Sequence, residues 1–119
     1  MIEVLSEATR QRDLIAKVGR SIFDRGLTAG STGNISVRLS DGTLLMTPTN
    51  ASLGDLDPAR LSLTDADGRP ISGDKPTKEA FLHSCMYCER SADHAVVHLH
   101  SPHAVAVSVL ADTDARNAL

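Results

Sequence analysis

Apolar residues recur at helical spacing between residues 6 and 25, where Leu14, Ile15, Val18, Ile22 and Phe23 alternate with Arg10, Arg12, Lys17 and Arg20. This pattern predicts a helix that lays one stripe on a sheet, with Gly26 as its stop. From Asn34 to Leu39 the period changes to two, with Ile35, Val37 and Leu39 on one side and Ser36 and Arg38 on the other. That is the signature of a strand, and Ser40-Asp41-Gly42 predicts a hairpin turn into a returning strand over 43–47. Residues 53–61 are irregular, with Pro58 opening a helical turn, and Leu61–Thr64 and Arg69–Ser72 flank a second hairpin at Asp67-Gly68. A helix follows from Thr77, a suitable cap, to about Glu89. Its predicted buried side is Phe81, Leu82, Cys85, Met86 and Cys88, which makes both cysteines structural. Ser91-Ala92-Asp93 breaks the helix, and His94–Leu99 reads as a buried strand. Pro102 opens a last helix with Ala104, Val105, Val107, Val109 and Leu110 on a nearly all-apolar surface. Helix, hairpins, helix, strand, helix is the order of an α/β sheet with packed helices, not a bundle or a sandwich of two sheets.

Composition narrows this picture. The 119 residues predict one domain, and with only 3% aromatics its core must be built from Leu, Val, Ile and Ala. A net charge of −3 with interspersed signs gives no basic footprint, so nucleic acid is excluded as a partner. No apolar run reaches membrane-spanning length and Met1–Val4 lacks the regions of a signal peptide. A soluble cytoplasmic chain is the expectation.

The chemistry concentrates in four places. Thr28–Asn34 combines two glycines with hydroxyls, a loop whose N–H groups can approach an anion or simply turn the chain. Thr47-Pro48-Thr49-Asn50-Ala51 and Gly73–Glu79 are further polar loops, the latter placing Glu79 in the first turn of the predicted helix, where the dipole favours a carboxylate. His83 follows four residues later on the same face. Last, Ala95–Val97 leads into His98-Leu99-His100. On a strand, alternation sends both imidazoles to one face, where they either hold a metal ion or mark the point at which the strand leaves the core. Cys85-x-x-Cys88 with the two histidines leaves open a structural Cys2His2 zinc module, although a spacing of one between histidines is short for a finger.

Taken together, Thr28–Arg38 (TAGSTGNISVR), Thr47-Pro48-Thr49, Pro76-Thr77-Lys78-Glu79 and Ala95–Ser101 (AVVHLHS) resemble the class II aldolase/adducin family of zinc enzymes acting on phosphorylated sugars. Residues 47–58 and 72–79 resemble most the branch of 3-oxo-tetronate 4-phosphate decarboxylases. The sugar-phosphate aldolases typically carry small hydroxyl residues just before the glutamate, where this chain has Lys78. The resemblance implies a three-layer α/β/α sandwich with a mostly antiparallel central sheet. It also implies a zinc (Zn2+) cofactor held by His98 and His100, and Glu79 as the catalytic acid/base that can also approach the metal. Gly33, Asn34, Thr49, Asn50, Thr77 and Lys78 align with phosphate or substrate contacts. Asn50 stands where the family usually has glycine, which crowds a backbone approach. His83, His94 and His103 receive no catalytic role and are expected in packing or surface positions.

The implied reaction suits these residue types. A 3-oxo acid that loses carbon dioxide leaves its electrons on the ketone oxygen; zinc stabilises that charge and a carboxylic acid protonates the carbon, giving dihydroxyacetone phosphate. The fuculose-phosphate type of aldolase reaches the same enediolate by releasing an aldehyde and is the alternative activity; a non-catalytic zinc-binding or scaffold module is a third. A catalytic zinc needs three protein ligands, and the family's third histidine lies downstream of residue 119. Residues 1–119 are therefore expected to be the N-terminal part of such a domain, truncated at the C-terminus and folding poorly, associating, or binding zinc weakly when alone. The family commonly forms homotetramers, so a homo-oligomer with a phosphorylated small-molecule substrate is expected.

Overall fold

The computed structural model describes residues 2–110, with side chains described from Glu7 onward; the far ends of the expected 1–119 domain lie outside them. Helix α1 spans Ile2–Asp24, four residues earlier than the stripe predicted. It ends in a Schellman motif: Leu27 N–H donates to Ile22 O at 3.1 Å and Gly26 N–H to Phe23 O at 3.0 Å, with Gly26 at φ 73°. Strands β1 (Asn34–Arg38) and β2 (Leu44–Met46) form the first hairpin. One-turn 3-10 helices at Leu53–Asp55 and Pro58–Arg60 precede β3 (Ser62–Thr64) and β4 (Pro70–Ser72). Helix α2 (Ala80–Glu89), β5 (Ala95–His98) and α3 (Pro102–Ser108) complete the described chain.

The five strands form one sheet in the order β4-β3-β2-β1-β5, every pair antiparallel. Alternation divides its side chains between two layers. On one face Ile35 and Leu45 pack with Ile15 of α1 and with Leu53 and Leu61, flanked by Val18, Ile22, Val37, Leu56, Leu63 and Leu99. On the other, Leu44, Met46 and Val96 pack with Ala80 and Tyr87 of α2. Helices thus cover both faces, the expected α/β/α arrangement. Helix α1 lies close enough to the 53–55 turn that Gly54 sits under the Phe23 ring, with no room for a side chain.

Residues 34, 36 and 38 of β1 point to the α2 layer, and each holds part of α2. At its C-terminal end the Arg38 guanidinium donates to the carbonyls of Tyr87 (3.2 Å), Ser91 (2.6 Å) and Asp93, and lies 5.0 Å from the Tyr87 ring centre. A cation there also satisfies the helix dipole.

Helix α2 departs from its predicted face. Ala80, His83 and Tyr87 are the buried residues, while Phe81 is 75% exposed and Leu82 and Met86 are also exposed. Cys88 is exposed and Cys85 half-buried, so neither is a core thiol. Apolarity alone pointed to the wrong stripe because the sheet opposite presents Asn34 and Ser36, which must be hydrogen-bonded once buried. The helix also begins three residues after Thr77, and Leu14 of α1 is half-exposed. Helix α3 buries none of its residues, and Val105, Val109 and Leu110 are exposed.

The Phe23–Gly54 contact predicts its own test. A Cβ on Gly54 would lie 2.6 Å from Phe23 Cγ, so Gly54→Ala should destabilise the fold by about 1–3 kcal/mol through overpacking. In a urea-unfolding double-mutant cycle, Phe23→Ala should absorb a substantial part of that cost, whereas additive effects would show that the ring is not the obstacle.

Candidate functional site

The site lies where β1 and β5 meet the start of α2. Asn34 and His98 are direct neighbours across the β1–β5 ladder, on the α2 face. Two residues on, His100 leaves the sheet on the same side; its ring centre is 4.9 Å from that of His98. Glu79 is the N-cap residue of α2 but makes no capping bond. Its N–H donates instead to Thr77 Oγ1 at 3.3 Å, and its carboxylate turns to the sheet. Oε2 accepts from Asn34 Nδ2 at 2.8 Å and also meets His98 Nδ1. The Asn34 hydrogen bond holds the Glu79 pKa below the ordinary carboxylate range; His98 and His100 add to this, and burial opposes it.

Ligand atoms of Glu79, His98 and His100 lie within 4.8 Å of one another, and this is the one such group found among the described residues. Two imidazoles and a carboxylate are a donor set suited to zinc and related divalent ions, and they converge here from two elements. The cysteines do not join them. Cys85 and Cys88 line a separate cavity with Leu44, Phe81 and Tyr87, which counts against a Cys2His2 module.

The three polar loops converge beside this centre. Pro48 pairs with Pro76, Thr49 N–H donates to Lys75 O at 2.9 Å, and Thr77 N–H to Thr47 O at 3.2 Å, which joins the second and third loops. In the first loop, buried Thr28 donates to Thr32 O at 2.8 Å. Gly33 sits at φ 84°, where an added Cβ would meet Thr28 Oγ1, Leu53 Cδ1 and His98 O at 3.1–3.3 Å. Only glycine lets this loop lie against the histidine strand. A cavity of ≈160 Å³ results, lined by Ser31, Thr32, Gly33, Asn34, Pro48, Thr49, Asn50, Thr77, Lys78, Glu79 and His100. All the residues matched to phosphate or substrate contacts are therefore together, and Lys78 is exposed at the cavity. Asn50 has φ 61°, the described non-glycine residue with positive φ. Asparagine tolerates that conformation better than most residues, which reconciles it with the family's glycine.

Sequence reasoning missed what stands behind Asn34. His83 is fully buried. Its Nε2 meets Asn34 Oδ1, its Nδ1 lies 2.6 Å from Ser36 Oγ, and Ser36 Oγ lies 2.8 Å from Tyr87 Oη. The signal was present in two periods: Glu79, His83 and Tyr87 at helical spacing, and Asn34 and Ser36 at strand spacing. His94 and His103 are exposed, as expected.

This fold and site define a class. The model of the class II aldolase and adducin N-terminal domain matches residues 13–118, and the chain belongs to that family. It is 47% identical over 109 residues to 3-oxo-tetronate 4-phosphate decarboxylase of Haemophilus influenzae, covering 92% of this chain and 52% of that protein. It is 41% identical over 95 residues to L-fuculose phosphate aldolase of Methanococcus maripaludis, covering 79% and 51%. The solved structure of YgbL from Klebsiella pneumoniae, described as a candidate aldolase, epimerase or decarboxylase, superposes with a TM-score of 0.85. It is 45% identical, with 90% of this chain and 52% of that one covered. The chain thus spans about half the length of the curated relatives it matches. No helix among the described residues is long and apolar enough to cross a membrane.

Two measurements check the site. In zinc titrations, His98→Ala and His100→Ala should each weaken binding by about 100-fold or more, the upper end of what loss of a supporting residue alone costs. Cys85→Ser/Cys88→Ser should leave binding unchanged; loss of zinc there would restore the cysteine module. The second concerns His83, whose pKa is pushed down from 6.5 to about 4, chiefly by burial, with His98 adding and Glu79 opposing. The unfolded chain takes up a proton below pH 6.5 that the folded one refuses. Stability is therefore full above pH 6.5 and falls toward pH 4, by roughly 3 kcal/mol from this group. Urea midpoints across that window should show the slope, and His83→Gln should flatten it.

Proposed function

We propose that the chain is the N-terminal part of a zinc-dependent carboxy-lyase that converts a 3-oxo-tetronate 4-phosphate to dihydroxyacetone phosphate and carbon dioxide. The observation that carries this reading is the placement of the Glu79 carboxylate between Asn34 and His98, within ligand reach of His100, at the wall of a polar cavity. The match to proteins of that name supports the substrate class.

Glu79, His98 and His100 would hold the ion, which when bound supplies a Lewis acid for the negative charge that develops on the substrate's ketone oxygen. The chain's own residues do the rest. Gly33, Thr49, Asn50 and Thr77 offer the phosphate a wall of backbone and hydroxyl groups, and Asn34 lines the same cavity. Lys78 brings a cation for the phosphate or the carboxylate that leaves. As the bond to that carboxylate breaks, its electrons pass toward the ketone oxygen. Glu79 rests ionised, so it first takes a proton from a substrate hydroxyl or from water. It then returns that proton to the carbon that has lost carbon dioxide. The exposed apolar residues of α2, β5 and α3 suit a protein in which further chain, or further copies in a homotetramer, cover them. A cytoplasmic location is part of the same reading.

The fuculose-phosphate type of aldolase is the second reading, supported by the 41% identity to a protein of that name. Lys78, in place of a small hydroxyl residue, favours the decarboxylase. Release of carbon dioxide and dihydroxyacetone phosphate from a 3-oxo-tetronate 4-phosphate, with no cleavage of L-fuculose 1-phosphate, is the expected outcome; the reverse would favour the aldolase. Assayed with zinc in enough excess to saturate a weakened site, Glu79→Gln should lower turnover by about 10²–10⁴-fold. Full activity in that variant would remove Glu79 from the mechanism.

A further inference from the structure

We propose that His83 is a positioning residue for Glu79, acting by dictating which end of the Asn34 amide faces the carboxylate. This rests on the reading of Glu79 given above, but the inference comes from hydrogen-bond polarity. An ionised carboxylate only accepts, so Asn34 must turn its NH2 toward Glu79, as the 2.8 Å contact from Nδ2 to Oε2 shows. Its Oδ1 then faces His83 Nε2 and needs a donor there. His83 must therefore be the tautomer protonated on Nε2, with Nδ1 bare. The bare Nδ1 needs a donor in turn, and Ser36 Oγ is 2.6 Å away. With its proton committed, Ser36 Oγ accepts from the Tyr87 hydroxyl at 2.8 Å. Every hydroxyl and N–H in the row Tyr87, Ser36, His83, Asn34 donates in one direction, and the row ends on Glu79.

The alternative orientation cannot be reached at one member alone. Flipping the Asn34 amide would set its oxygen against the carboxylate and its NH2 against the Nε2 proton. His83 and Ser36 are fully buried and Asn34 and Tyr87 nearly so, so water is not at hand to repair the mismatch between Asn34 and His83. The row joins two elements of the fold: Asn34 and Ser36 on β1, and His83 and Tyr87 on α2, with Glu79 at the N-cap of that same helix. It holds the catalytic carboxylate by a fixed direction of donation as well as by distance.

The direct test is the tautomer. Long-range 1H–15N spectra of the histidine-labelled protein should show, in the signals that vanish in His83→Gln, a neutral ring fixed with Nε2 protonated and Nδ1 bare. A His83 found protonated on Nδ1 would overturn the proposal. The functional test compares two variants by melting temperature, zinc affinity and steady-state kinetics. His83→Leu keeps the volume but removes the donor; it should weaken zinc binding and lower kcat by about 10–100-fold each, with KM changed less than about twofold. His83→Gln can donate to Asn34 Oδ1 and should recover both to within about threefold. Equal losses in the two variants, or losses that follow melting temperature alone, would show a merely structural role. If the wild-type chain decarboxylates nothing, the proposed function fails, whereas the tautomer and the zinc affinities still decide the row.

Discussion

The structure depends on one face of β1. Its side chains alternate between an apolar layer and a polar one: Ile35 and Val37 join the core beneath α1, while Asn34, Ser36 and Arg38 hold α2. A buried polar group that loses water must find a partner in the protein, at a cost of about 1–3 kcal/mol if it does not. Three such groups in succession leave α2 little freedom. Arg38 takes its C-terminal carbonyls, Ser36 takes His83 and Tyr87, and Asn34 takes His83 and Glu79. Among the described residues no buried side-chain nitrogen or oxygen is left without a partner. The position of Glu79 follows from satisfying the whole strand face.

This arrangement separates stability from chemistry. The α1 side is a core of aliphatic side chains and close contacts at glycine, typified by Gly54 beneath Phe23. The α2 side carries its hydrogen bonds in a row and opens, at its upper end, on the cavity where the three loops meet. A carboxylate held from behind by donors and faced by imidazoles is already ionised and oriented before any ligand arrives. Preorganisation of that kind is what metal binding and proton transfer both need.

Much of the fold could be read from the chain. Period-two alternation located β1, an apolar run located β5, the helical stripe found α1, and Gly26 stood at the helix end where a left-handed residue was needed. Strand β5 is nevertheless an edge strand with Ala95 and Val97 exposed, not the buried strand its apolar run predicted. The pairing of His98 with His100 followed from strand alternation alone. The face of α2 could not be read in the same way. Phe81, Leu82 and Met86 are the more hydrophobic candidates, yet they face outward, because Asn34 and Ser36 on the opposing strand require His83 and Tyr87 instead. Hydrophobicity along one segment says nothing about the polar demands of another segment 45 residues away.

The sequence by itself determined the elements, their order, and which residue types were able to do chemistry, since those depend on local periods, turn residues and donor atoms. It also carried the family resemblance, in the residues of the three loops and of the segment that holds His98 and His100. Only the tertiary structure decided that the three loops share one cavity, that Glu79 meets Asn34 and His98, and that His83 stands behind them. Those relations rest on strand register and on the pairing of buried polar groups across the sheet–helix interface. Both are set by contacts between distant segments, and neither leaves a signature in any one of them.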